Sequence, residues 1–140
     1  MSRPASIGAG SIDAGSIGAG LLALALAGCA APQASGIVRT PVLRAAASFP
    51  NTEAVVMRVE LAAGARAGRH SHPGDEIGYV LEGEGQLLID GAAPRTVRAG
   101  EAFVIPAGIV HDAHNPGVAT MRLVGVYMVE QGKPLATPAR

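Results

Sequence analysis

Residues 53–61 fall into two interleaved sets, with Val55, Met57, Val59 and Leu61 at one parity and Val56, Arg58 and Glu60 at the other. A period of two predicts a strand whose faces meet different surroundings, because successive side chains leave opposite faces of a sheet. Shorter runs of the same kind recur at residues 77–81, 86–90, 102–105 and 120–129. Turn-forming residues separate them: Glu82-Gly-Glu-Gly85, Asp90-Gly91, Arg98-Ala-Gly100, Pro106-Ala-Gly108 and Asn115-Pro-Gly117. Asp90-Gly91, lying between residues 87–89 and Thr96-Val97, marks a hairpin with a loop longer than two residues. No segment after Pro41 sustains a helical period. Many short strands with frequent turns predict an all-β sandwich or barrel, and closure into a barrel removes the open edges that such strands otherwise present.

The first forty residues follow no such pattern and read as an address. Residues 6–20 hold three five-residue units, Ser-Ile-Gly-Ala-Gly, Ser-Ile-Asp-Ala-Gly and Ser-Ile-Gly-Ala-Gly, too short for a solenoid repeat. The apolar run Leu21-Leu-Ala-Leu-Ala-Leu-Ala27 follows. It is well short of the roughly 20 residues that span a bilayer, which disfavours a permanent transmembrane helix. Leu26-Ala-Gly-Cys29 resembles the lipobox of bacterial lipoproteins, and this gives the single cysteine a purpose. The resemblance implies an exported, membrane-anchored lipoprotein on the periplasmic or extracellular face, with residues 1–28 removed as a signal peptide and lipid carried on Cys29. Residues 29–40 are then expected to be a flexible tether, 41–132 the folded barrel, and 133–140 a C-terminal tail.

Composition changes the picture in three ways. In a chain of 140 residues, 49 % of them apolar, there is material for one compact core and little for a second domain. Eleven basic residues balance eleven acidic ones, so no basic surface suited to nucleic acid is expected. With no tryptophan and few aromatics, the core must come from Val, Leu, Ile and Ala.

Candidate chemistry is concentrated between Gly64 and Asn115. His70 and His72 share a strand parity, and Glu76 recovers it after Pro73-Gly74, so three ligands can converge from one ribbon. His111, introduced by the turn at Pro106 and Gly108, can close the set from a neighbouring strand. Three neutral imidazoles and one carboxylate suit a single divalent transition ion, whether iron, manganese, nickel, copper or zinc, with positions left open for water or substrate. Glu76 is also the candidate catalytic residue, able to take up a proton if it leaves the metal.

The same residues resemble the cupin superfamily. Gly64, five residues, His70-x-His72, three residues, Glu76, six residues and Gly83 match its first motif without a gap. Gly100, five residues, Pro106-x-Gly108, two residues, His111, three residues and Asn115 match the second. The sixteen residues between them resemble the compact microbial single-domain members. This resemblance implies a single-domain jelly-roll β-barrel with His70, His72, Glu76 and His111 around the metal, the motif glycines and Asn115 serving turns and packing. It also implies that a homodimer is common.

Other residues have plainer readings. His114 matches no ligand position and is expected to support a ligand or lie at the surface. Arg58 and Arg122 are expected at the surface, with a carboxylate or phosphate anchor as the alternative. Phe103, Tyr127, Met57 and Met121 are expected in the core, and Tyr79 away from the ligands. Two functions remain open: an enzyme acting on a small organic substrate by dioxygenase-type or related metal-dependent chemistry, or a non-catalytic module that captures a small ligand or metal.

Overall fold

A computed structural model describes residues 36–140. The expected leader, Cys29 with its lipobox, and the tether up to residue 35 lie outside the described residues. Among the described residues ten strands form and no α-helix does. They are β1 (Ile37–Ala46), β2 (Thr52–Leu61), β3 (His70–Ser71), β4 (Asp75–Glu82), β5 (Glu84–Ile89), β6 (Arg95–Arg98), β7 (Ala102–Ile105), β8 (His111–His114), β9 (Met121–Glu130) and β10 (Thr137–Pro138). Two five-stranded sheets result, one ordered β1-β2-β9-β4-β7 and the other β10-β3-β8-β5-β6, with every pairing antiparallel. This is the all-β jelly-roll arrangement that the strand periodicity and the motifs predict.

The core lies between the sheets. On β2 the inward set is Val55, Met57, Val59 and Leu61, all buried, as the parity requires. Their cross-strand partners on β9, Tyr127, Leu123 and Met121, are buried on the same face, and so is Val129. Leu87, Val97, Phe103 and Ile105 close the interior from the other strands. Phe103, Met57 and Met121 are core residues as expected, while Tyr79 faces outward and is 47 % exposed.

Two glycines facing each other across β4 and β9, Gly78 and Gly125, make room for the interior rings. A Cβ on Gly78 would lie 2.1 Å from the Phe103 ring, and one on Gly125 would lie 2.6 Å from the Tyr127 hydroxyl. Only a residue without a side chain lets both rings lie flat along the sheet.

Two expected boundaries move. The tether was expected to reach residue 40, yet β1 begins at Ile37 and pairs with β2 from Ile37↔Leu61 onward. The backbone groups on the free edge of β2 need partners, and β1 supplies them. The tail expected at 133–140 instead contributes β10, where Thr137 pairs with Ser71 and Pro138 with His70. Its polar, proline-containing sequence carries no alternation that would have marked it as a strand.

Candidate metal centre

His70 and His111 are direct cross-strand partners on β3 and β8, with ring centroids 4.4 Å apart. His72 follows β3 immediately, its ring 4.8 Å from that of His70 and 5.2 Å from that of His111. Pro73-Gly74 then carries the chain from one sheet to the other. A Cβ on Gly74 would lie 1.8 Å from the Met128 carbonyl oxygen, so the crossing passes against β9 where only glycine fits. Glu76 therefore faces the histidines from the opposite sheet. This corrects the expectation that His70, His72 and Glu76 share one ribbon: their equal parity survives, but the chain changes sheets between them.

Each histidine is oriented by a main-chain carbonyl. The Nδ1 atoms of His70, His72 and His111 lie 2.5, 2.6 and 3.0 Å from the carbonyl oxygens of Gly68, Leu135 and Ile109. A carbonyl only accepts, so each Nδ1 carries the proton and each Nε2 is left with a lone pair. Ligand atoms of the three histidines all lie within 4.8 Å of one another. Glu76 Oε2 is 3.0 Å from His111 Nε2 and 3.2 Å from His72 Nε2. Its other oxygen, Oε1, accepts a hydrogen bond from the Tyr127 hydroxyl at 3.1 Å.

The turns behind the ligands are themselves held. The Gly108 N–H donates to His72 O at 2.9 Å, and Gly108 adopts φ +77, a left-handed conformation that suits glycine. Asp75 Oδ1 accepts the Ala107 N–H at 3.0 Å. Buried Asp112 accepts the Gly68 N–H at 2.9 Å and the Arg66 guanidinium at 2.9 Å, fixing the turn whose carbonyl orients His70. Asn115, 1 % exposed, donates to Leu61 O and Ala119 O, the packing role expected of it.

Residues 57–127, about half of the chain, match the Cupin_2 family, described as a cupin domain. The chain belongs to the cupin family. Over 76 residues this cupin is 43 % identical to oxalate oxidase 1 of Hordeum vulgare, covering 48 % of this chain and 38 % of that protein. The chain spans about two-fifths of the length of the curated relatives it matches. An oxalate oxidase structure in complex with the substrate analogue glycolate matches with a TM-score of 0.60 and 30 % identity, over 77 % of this chain and 56 % of that one. A conserved protein from Klebsiella pneumoniae with a double-stranded β-helix domain matches with a TM-score of 0.62 and 24 % identity, over 76 % of this chain and 90 % of that one; this likeness shows the fold alone.

The donor set of the cupin fits one divalent transition ion. His72 Nε2 and Glu76 Oε2 are buried and have no hydrogen-bond partner, and both atoms present lone pairs to the same point. Two lone pairs about 3 Å apart repel unless a cation or a proton lies between them, and burial without such a partner is costly. The protonation pattern expresses the same need. In the metal-free protein burial raises the Glu76 pKa, but the neighbouring His111 and His72 rings outweigh it and bring the carboxyl down to about 2. Burial lowers His111, and the hydrogen bond with Glu76 more than reverses this, so its pKa ends raised. Burial holds His70 below the ordinary imidazole value. Tyr127 is pushed upward, first by burial and then by the Glu76 charge, and stays a hydrogen-bond donor.

The cavity above these residues has a volume of about 30 Å³ and is walled by Leu87, Phe103, Ala113 and Leu123. Neither Arg58 nor Arg122 lines it: Arg58 is exposed, and Arg122 pairs with Glu82 and Glu60. His114 stands apart from the three-histidine cluster, at the end of β8. Tyr127 is buried as expected but also serves the site. A lone phenol at an inward strand position was the available signal, since a buried hydroxyl requires a partner. Leu135 acts through its carbonyl and Asp112 by accepting the Gly68 N–H, and neither leaves a mark in side-chain spacing.

Proposed function

We propose that this cupin is a metal-dependent oxidoreductase at the cell envelope that acts on a small organic acid by dioxygenase-type or related chemistry. The observation that carries the reading is the clustering of three imidazoles with one carboxylate oxygen, of which His70, His111 and Glu76 line a single cavity. Likeness to oxalate oxidases supports an organic acid as substrate.

His70, His72 and His111 would hold the ion, with Glu76 as fourth ligand. When bound, a divalent transition ion supplies Lewis acidity and, where redox-active, electron transfer. Tyr127 holds Glu76 through Oε1, so Oε2 would be the oxygen that ligates the ion and the one able to take up a proton once it leaves the metal. The apolar walls exclude water and strengthen every charge interaction within.

A specific observation favours the metal-binding form of the second reading, a module that captures a small ligand or metal without turnover. A cavity of about 30 Å³ admits little more than a water molecule before side chains move.

Elemental analysis beside His70→Ala and His111→Ala, followed by oxygen uptake with oxalate and glycolate, separates these outcomes. The expected result is metal in the parent protein, its loss in both variants, and substrate-dependent oxygen consumption. Full metal content in the variants would sink the site. Metal that binds without any turnover, while azide still perturbs its spectrum, would select the binding module.

The envelope location is supported by Leu26-Ala-Gly-Cys29. Detergent-phase partitioning of the Cys29→Ala variant tests it, since an unanchored chain moves to the aqueous phase. A homodimer is supported by the outer face of the β1-β2-β9-β4-β7 sheet, where Ile77, Tyr79, Leu81 and Val104 are exposed together. Light scattering that gives the mass of a single chain would rule it out.

A further inference from the structure

We infer that Arg39 forms a carboxylate subsite at the cavity, anchoring the acid group of the substrate while the histidine end of the cavity is left for the rest of the molecule. The inference rests on the proposed function and adds to it the residue that recognises the acid.

The placement follows from register. Arg39 pairs with Val59 and Ile37 with Leu61 across β1 and β2, and both partners belong to the inward set. Arg39 therefore shares the inward parity of its strand, and its side chain lines the same cavity as His70, Glu76, His111 and Tyr127. Among the described residues lining that cavity it is the one with a permanent positive charge.

The guanidinium is also free to take a ligand. Arg44, Arg66, Arg69, Arg98 and Arg122 each pair with a carboxylate. Arg39 meets no carboxylate among the described residues. Its one hydrogen bond runs from Nη2 to Ala67 O at 3.2 Å, long for a charged donor, and the side chain is exposed. Five N–H donors in a planar fork match a carboxylate in two parallel hydrogen bonds, which a neutral or monodentate ligand cannot use. A bound divalent ion together with Arg39 outweighs the single charge of Glu76, and a carboxylate offsets part of the surplus.

Titration of the metal-loaded full chain with glycolate and with azide, followed by calorimetry and by the metal's spectrum, tests the assignment. Both probes are monoanions, so azide reports the field of Arg39 while glycolate also reports directional hydrogen bonding. Arg39→Gln is expected to weaken glycolate binding at least tenfold beyond any change in azide binding, and Arg39→Lys to recover part of that loss. An equal loss for both probes, or unchanged glycolate affinity in Arg39→Gln, overturns the subsite and leaves the proposed function standing. A parent protein that binds azide but no glycolate overturns the organic-acid reading itself, and the subsite with it. Metal content and melting temperature of each variant show that the comparison is made on folded, loaded protein.

Discussion

The Nδ1 atom of His72 lies 2.6 Å from the main-chain oxygen of Leu135, so a ligand in the first motif is oriented by the last few residues of the chain. Beside it, β10 pairs with β3, and the Ala139 N–H donates to Arg69 O at 2.9 Å. The C-terminal segment thus closes the cluster from behind.

Deletion of residues 134–140 is expected to weaken metal binding about 10- to 100-fold, the usual consequence of losing a hydrogen bond that orients a metal-bound histidine. Competition with a chelator measures it. A truncated protein with parental metal affinity would show that the carbonyl is dispensable.

Tyr127→Phe removes the donor to Glu76 Oε1 and leaves a buried carboxylate oxygen short of a partner. The expected loss is about 1–3 kcal/mol of stability, read from urea unfolding of the metal-free protein. Gly125→Ala should cost a similar amount by another route, about 1–3 kcal/mol, because its Cβ would press on the phenol end of the same side chain. The two changes touch one ring, so the double variant should cost less than the sum. Additivity would separate the glycine from the hydroxyl.

Asp112→Leu should lower stability by about 1–3 kcal/mol and metal affinity with it, since the Gly68 turn loses its acceptor. Asp112→Asn can still accept the Gly68 N–H and should stay near the parent. Its lost ion pair counts for little, because the Arg66 side chain is 55 % exposed. Equal effects from both substitutions would contradict a turn-holding role.

Metal-free and metal-loaded forms should respond to pH differently. In the metal-free protein the depressed Glu76 pKa contributes stability above 4.5 that is lost as pH falls toward about 2. The lowered His70 pKa makes protonation unfavourable, so stability is also lost as pH falls below 6.5. His111 acts in the other direction: its raised pKa contributes fully below 6.5, and that contribution disappears as pH rises through the folded value. Stability of the metal-free protein is therefore expected to peak near pH 6.5. Metal affinity should instead keep rising above that pH, by up to about tenfold per unit for each imidazole that must shed a proton. Unfolding curves and chelator competition from pH 5 to 9 check both trends, and parallel trends would sink the proton-for-metal exchange at His111.

The four expected ligands were legible in linear order because histidine and glutamate positions in a strand-rich chain carry parity, and parity survives folding. Strand faces were legible for the same reason: Val55, Met57, Val59 and Leu61 are buried as a set. β1 was partly hidden, because an edge strand such as this one is exposed along most of its length and has no alternation to display. Arg39 was hidden with it and was assigned to the tether.

Parity names a face but does not say which sheet the face belongs to, so spacing alone could not show that Glu76 opposes the histidines from the other sheet. Nor could it show that the Leu135 carbonyl fixes the tautomer of His72, since every residue carries the same carbonyl and only the folded chain selects one. Local order sets which residue types can meet. Long-range pairing, such as β3 between β8 and β10, decides which atoms do, because those contacts form between backbone groups that are chemically alike at every position.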